Sequence, residues 1–151
     1  MSYQYTESGL DNVWLENGYD LRTHAKYGEG ITIADVRGLH EAIGRWIVDQ
    51  PRSLTGAEFR FLRVELDMSQ RRLGEIVGNT EQSIANWEKS RTRPVANKAA
   101  ERLLRLAYKN YIDGKPEFSA VIDRLTQLDA VIAEMELHLS KSEVSWLALA
   151  A

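Results

Sequence analysis

Cysteine is absent from the 151 residues, which excludes disulfides, thiolate zinc sites and cysteine nucleophiles together. Histidine is nearly absent, and His24, His40 and His138 stand too far apart for metal-ligand spacing. Neither a metal nor another cofactor is expected. No apolar run approaches the roughly 20 residues of a membrane span. The opening MSYQYTESG lacks the basic-then-apolar pattern of an export leader, so a soluble, cytoplasmic protein is expected, with no membrane partner. There is no nucleophile motif, and Asp11, Asp35 and Glu41 have no paired setting for acid–base work. An enzyme is not expected.

The chain also lacks an overall positive charge, its formal net charge being −3. The charges are unevenly placed, however. Residues 55–115 carry 12 Lys and Arg against 8 Asp and Glu, whereas residues 1–54 carry 5 against 8 and residues 116–151 carry 2 against 6. Positive charge is concentrated in the middle of the chain, as a nucleic-acid contact requires.

That middle contains SQRRLGEIVGNTEQSIANWE, residues 69–88. Ser69 and Thr80 are placed to cap two successive helices, each hydroxyl accepting an orphan backbone N–H. Leu73, Ile76 and Val77 give the first helix an apolar face, and Ile84 with Trp87 does the same for the second. Gly78 can take the left-handed conformation that ends the first helix, and Gly74 keeps that helix thin where the second crosses it. The pattern is that of a helix-turn-helix whose second helix keeps a polar face.

Gln70, Gly74, Gly78, Ile84 and Trp87-Glu88 fall where the Cro/C1-type (XRE) helix-turn-helix regulators keep Gln, a small residue, Gly, an apolar residue and a W/L-E pair. TEQSIANWEKSRTRP, residues 80–94, resembles the recognition segment of lambdoid phage repressors. Arg63 matches the partner of a buried Arg–Glu pair in that family, which assigns Arg63 and Glu88 to a structural ion pair. The likeness covers about residues 54–112. Two positions depart from it. Gly74 replaces the usual Ala, which costs a helix up to about 1 kcal/mol, and Ser90 replaces the usual helix-ending Gly. SGLDNVWLENGY, GLHEAIGRWI and LTGAEFRFLR resemble segments of the MqsA/YgiT-type antitoxin-like regulators, without the Cys-x-x-Cys zinc module of many members.

The flanks read as follows. Val13-Trp14-Leu15 and Tyr19 with Leu21 suggest a hairpin turned at Asn17-Gly18, and Ile31-Thr32-Ile33 a further strand. Leu39, Ala42, Ile43, Trp46 and Ile47 predict an amphipathic helix over 38–49, ending before Pro51. Thr55-Gly-Ala-Glu58 is a capping box opening a helix over 56–66, with Phe59, Leu62 and Leu66 facing its core. Ala99, Leu103, Leu106 and Ala107 predict another over 95–112. Phe118, Val121, Leu125, Leu128, Ile132, Met135 and Leu139 step by 3 and 4, an apolar seam suited either to a second copy or to the chain's own surface. SWLALAA at the end has no clear period.

The expected fold class is α+β, mostly α. Residues 1–53 form a β-hairpin module with a helix, residues 54–115 a lambda-repressor-like five-helix domain, and residues 116–151 an amphipathic C-terminal helix. The resemblance implies DNA binding. Thr80, Glu81, Gln82, Ser83 and Asn86, at the start and outward face of the second helix, are the base-contact candidates. Ser69, Gln70, Arg71, Lys89, Arg91 and Arg93 are the phosphate candidates. The expected function is a sequence-specific, double-stranded DNA-binding regulator, a repressor acting as a homodimer on an inverted repeat. Its dimer contact comes from the helix at 95–112 or from the seam. The alternative is an antitoxin that neutralises a toxin partner and regulates its own operon. A helix-turn-helix that only scaffolds protein contacts, or a small-molecule-sensing β-module, are further readings.

Overall fold

The computed structural model describes residues 2–115, Ala120, Asp123 and 136–149. The described residues hold five helices and three two-stranded antiparallel sheets, a mixed α+β architecture dominated by helix.

The N-terminal strands pair differently from the expectation. β1 (Tyr3–Gln4) pairs with β2 (Trp14–Leu15), and β3 (Tyr19–His24) pairs with β4 (Gly28–Ile33). There is therefore no hairpin at Asn17-Gly18: Trp14-Leu15 and Tyr19–Leu21 belong to different sheets. Gly18 does adopt φ 79°, but the bend passes the chain from one sheet to the next. The six-residue ladder available to β3 along β4 outcompetes pairing with the two residues of β2. Its turn is Ala25–Tyr27, followed by Gly28 at φ 77°. Tyr3 and Tyr19 tie the two sheets together, with ring centroids 5.4 Å apart.

The helix α1 (Val36–Asp49) starts at Asp35, whose carboxylate accepts the Gly38 N–H, and buries Ile43, Gly44 and Ile47. It packs on α5 (Lys98–Ile112) and α2 (Gly56–Glu65). Where α1 meets α5, a Cβ on Gly44 would lie 2.1 Å from the Tyr108 hydroxyl oxygen, so only glycine admits the ring. Burial there pushes the Tyr108 phenol up to about 12. Arg105 reaches across from α5 to the carbonyls of Val48, at 3.3 Å, and Gln50, at 2.8 Å, and to that of Arg52. A polar chain fixes the β-module to the same place: Tyr5 Oη lies 2.7 Å from His40 Nε2, and His40 Nδ1 lies 2.5 Å from Glu65 Oε1.

Residues 54–115 contain four helices rather than the expected five; the remaining helix, α1, comes from the preceding segment. They are α2, α3 (Gln70–Val77), α4 (Glu81–Lys89) and α5. Phe59 and Leu62 of α2, Leu73 of α3, Ile84 of α4, Leu104 of α5 and Ile47 of α1 converge in one core, each under 2% exposed. The helix α5 begins at Lys98, later than expected, because Val95 is held extended by its N–H to the Leu54 carbonyl and Asn97 supplies the cap. Its buried face is Ala100, Leu104 and Tyr108. Leu106 is 49% exposed, so the buried stripe is rotated by about one residue from the predicted one.

The C-terminal segment also differs. The seam from Phe118 to Met135 lies outside the described residues, but its last member, Leu139, opens strand β5 (Leu139–Lys141), which pairs with β6 (Trp146–Ala148). The helical period cannot continue through it. Ser142 Oγ accepts the N–H groups of Val144 and Ser145, a local bond that competes with helix and makes the turn. Among the described residues no helix is long and apolar enough to cross a membrane.

At the start of α2, Thr55 Oγ1 accepts the Glu58 N–H while Glu58 accepts the Thr55 N–H, completing the capping box. Burial pushes the Glu58 carboxyl up, but the Arg52 guanidinium and the Thr55 donors outweigh it and hold the group below its usual value. A depressed folded pKa means that this stabilisation is present above the unfolded carboxylate range, about 4.3, and is lost as pH falls through the folded value. Glu58→Gln is expected to lower the melting temperature at neutral pH and to shallow the acid limb of a melting-temperature profile between about pH 5 and 3.

Candidate nucleic-acid interface

The turn between α3 and α4 follows from four residues. Ser69 Oγ accepts the Arg72 N–H at 3.0 Å and Thr80 Oγ1 accepts the Ser83 N–H at 3.0 Å, which starts the two helices. Gly78 ends α3 at φ 70°. Gly74 is required by the close approach of the turn, since a Cβ there would lie 2.6 Å from the Asn79 carbonyl oxygen. The Ala usual at this position in the resembled family would not fit here.

The orientation of α4 is fixed from behind by Glu88, which is 5% exposed. Arg63 of α2 grips it in bidentate fashion, Nε to Oε2 at 2.7 Å and a terminal nitrogen to Oε1 at 2.8 Å. Arg63 also donates to the Met68 carbonyl. Gln70 donates to Glu88 Oε1 at 3.2 Å, joining the start of α3 to the same carboxylate. Arg60, which the sequence did not single out, approaches Oε1 at 4.0 Å with its side chain 54% exposed. Three helices therefore share one acidic group. Trp87 adds an edge-to-face contact on Phe59, with centroids 5.8 Å apart.

The loop after α4 hangs from the first turn of α2. Gly56 donates to the Arg93 carbonyl and Ala57 to the Arg91 carbonyl, both at 3.1 Å, so two orphan N–H groups of α2 hold the loop. Ser90 sits at φ −81° and needs no glycine. The small residue is instead Gly56, where a Cβ would lie 2.3 Å from the Trp87 carbonyl oxygen.

With this frame set, Thr80, Glu81, Gln82 and Asn86 lie exposed on one side of α4, with Ser83 half-buried among them. Gln82 donates to Asn86 Oδ1 at 2.9 Å, and the Thr80 hydroxyl donates to Ser83 Oγ at 3.0 Å while capping the helix. Of the phosphate candidates, Ser69, Arg71, Lys89, Arg91 and Arg93 are exposed, while Gln70 is half-buried against Glu88. Arg71 makes a solvent-exposed pair with Glu75 at 3.5 Å. Arg91 is occupied differently: it donates to the Gly9 carbonyl at 2.7 Å and reaches the Asp11 carboxylate at 3.3 Å. Sequence reasoning had no signal for that contact, which spans 80 residues. Arg72 pairs with Glu75 and, at 2.5 Å, with Asp123. The described residues bring together a rigid polar helix face and flanking cations; they contain no cluster of residues able to hold a metal.

No protein-family model matches the chain, and no curated protein or solved structure matches it either.

Removing one partner of the buried pair leaves the other charge unpaired, at a cost of about 3–5 kcal/mol. Arg63→Met is expected to destabilise the fold by that amount in urea melts, and Arg63→Met with Glu88→Leu to recover much of it. Additive losses would contradict the coupling.

Proposed function

We propose that the chain is a sequence-specific, double-stranded DNA-binding regulator of the Cro/C1-like helix-turn-helix kind, acting as a homodimeric repressor without catalytic activity or cofactor. The observation that carries this reading is the polar face of α4, held rigid by Arg63, Glu88 and Gln70 and bordered by Lys89, Arg91 and Arg93. An α-helix fits the major groove, and amide side chains at its outward positions can pair with the edge of adenine. In this reading Gln82 and Asn86 exchange their mutual hydrogen bond for bidentate contacts with bases. Glu81 accepts from cytosine N4, and Thr80 and Ser83 hold the helix start against the groove. Ser69, Arg71, Lys89, Arg91 and Arg93 take phosphates on either side and set the register without reading sequence.

Affinity for duplex DNA is expected to fall steeply with salt, each neutralised phosphate contributing about 0.9 to the log–log slope. Arg93→Ala should lower that slope and weaken all sequences alike. Gln82→Ala and Asn86→Ala should each cost about 1–3 kcal/mol on the preferred site and relax particular base pairs, read by selection from random duplexes. If neither amide change alters the selected motif, α4 is not the reading helix.

Asp11 competes with phosphate for Arg91. The pair is solvent-exposed, so its strength is at most about 1 kcal/mol, about fivefold in affinity. Asp11→Ala is expected to tighten DNA binding by up to that factor, and to leave it unchanged when Arg91 is already Ala. Titration of a labelled operator by fluorescence anisotropy would measure both.

A further inference from the structure

The hairpin β5–β6 is built unlike the rest of the molecule. All six of its strand residues are exposed, and Leu139, Trp146 and Leu147 are 49%, 64% and 58% exposed. Leu149, just beyond β6, is 56% exposed. An isolated two-stranded hairpin is at best marginally stable in water and needs further strands or a packed face. Each face exposes large apolar groups: Leu139, Trp146 and Ala148 share one side with Lys141, and Leu147 shares the other with Ser140.

Its two edges are not equivalent. The β5 side carries Lys141 within the strand and Glu136 ahead of it, charges that deter further pairing. β6 has no charged residue within it, and the nearest charge on its side is Glu143 in the turn. Among the described sheets, β3 carries Asp20 and Arg22, β4 carries Glu29, and β1 and β2 are two residues long. β4 alone keeps an uncharged run of at least β6's length, Gly30–Ile33, but its Ile31 and Ile33 are half-buried, unlike the exposed residues of β6. The strand that matches β6 is β6 itself.

We propose that β6 is a self-association edge, pairing antiparallel with β6 of a second copy about a two-fold axis through Leu147. The sheet then runs β5-β6-β6-β5 across two chains. In this register Leu147 faces its own counterpart, while each Trp146 stands opposite the small Ala148 of the other copy. Large meets small, and no like charges oppose. Centring on Trp146 instead would set two indoles directly against each other. The contact is isologous, so it closes as a dimer. The argument uses the hairpin alone and does not depend on DNA binding.

The chain's lack of cysteine supplies the test. In an antiparallel pair opposed Cα atoms lie about 4.5–5.5 Å apart, within disulfide reach. Leu147→Cys in the full chain is expected to form a disulfide-linked dimer under mild oxidation. Val144→Cys, whose two copies would be about 20 Å apart at about 3.4 Å per residue, should not. Leu147→Glu, which opposes two carboxylates, is expected to raise the dimer dissociation constant at least tenfold by sedimentation equilibrium, with the helical thermal melt unchanged. A monomeric full chain at high micromolar concentration would overturn the proposal. So would a dimer undiminished by Leu147→Glu, or equal crosslinking through positions 147 and 144. Half-site DNA binding by the Leu147→Glu monomer is read separately, so loss of the strand pairing and loss of DNA recognition give different results.

Discussion

The carboxylate of Glu88 is the point on which the geometry of α4 depends. It is buried, and a buried charge is tolerated only when its lone pairs are matched by donors in good geometry. Arg63 supplies two, Gln70 a third, and Arg60 adds positive potential from the surface. Because these groups come from α2 and α3, satisfying one side chain fixes the mutual placement of three helices. Apolar packing of Phe59, Leu62, Leu73 and Ile84 would tolerate some sliding. A bidentate guanidinium–carboxylate fork does not. The polar face is thereby presented at a defined angle to the cations around it.

Those cations are set by backbone rather than by side chains. The loop carrying Arg91 and Arg93 is suspended from the N–H groups of Gly56 and Ala57, which an α-helix always leaves unpaired within itself. The residue that must be small is Gly56 at the beginning of α2, not Ser90 at the end of α4. A substitution at Gly56 would push on Trp87 and Ser90, far along the sequence from where its consequence is felt.

What the sequence revealed divides by the range of the forces involved. The caps at Ser69, Thr80 and Thr55 and the break at Gly78 were legible because each is decided within about four residues. The Arg63–Glu88 pair spans 25 residues and was reached only through a family resemblance. The Asn17-Gly18 signal was a real bend but a false hairpin, since a longer ladder was available to Tyr19–His24 farther along the chain. Leu139 fitted a helical period but stands in a strand, paired with Ala148 across a turn that Ser142 makes. Asp11 on Arg91 left no trace, because nothing in either local sequence refers to the other.

The contacts of Arg105 have a mechanical consequence. Its guanidinium holds the carbonyls of Val48, Gln50 and Arg52, the stretch around Pro51 that would otherwise be the natural hinge between the first helix and the rest. With Glu101 also bonding the Leu54 N–H, the crossing is clamped along its length. Torque applied to the N-terminal sheets is therefore transmitted to α5 instead of being absorbed in a linker. Cutting or lengthening the chain at Pro51 would remove a strut, not a tether.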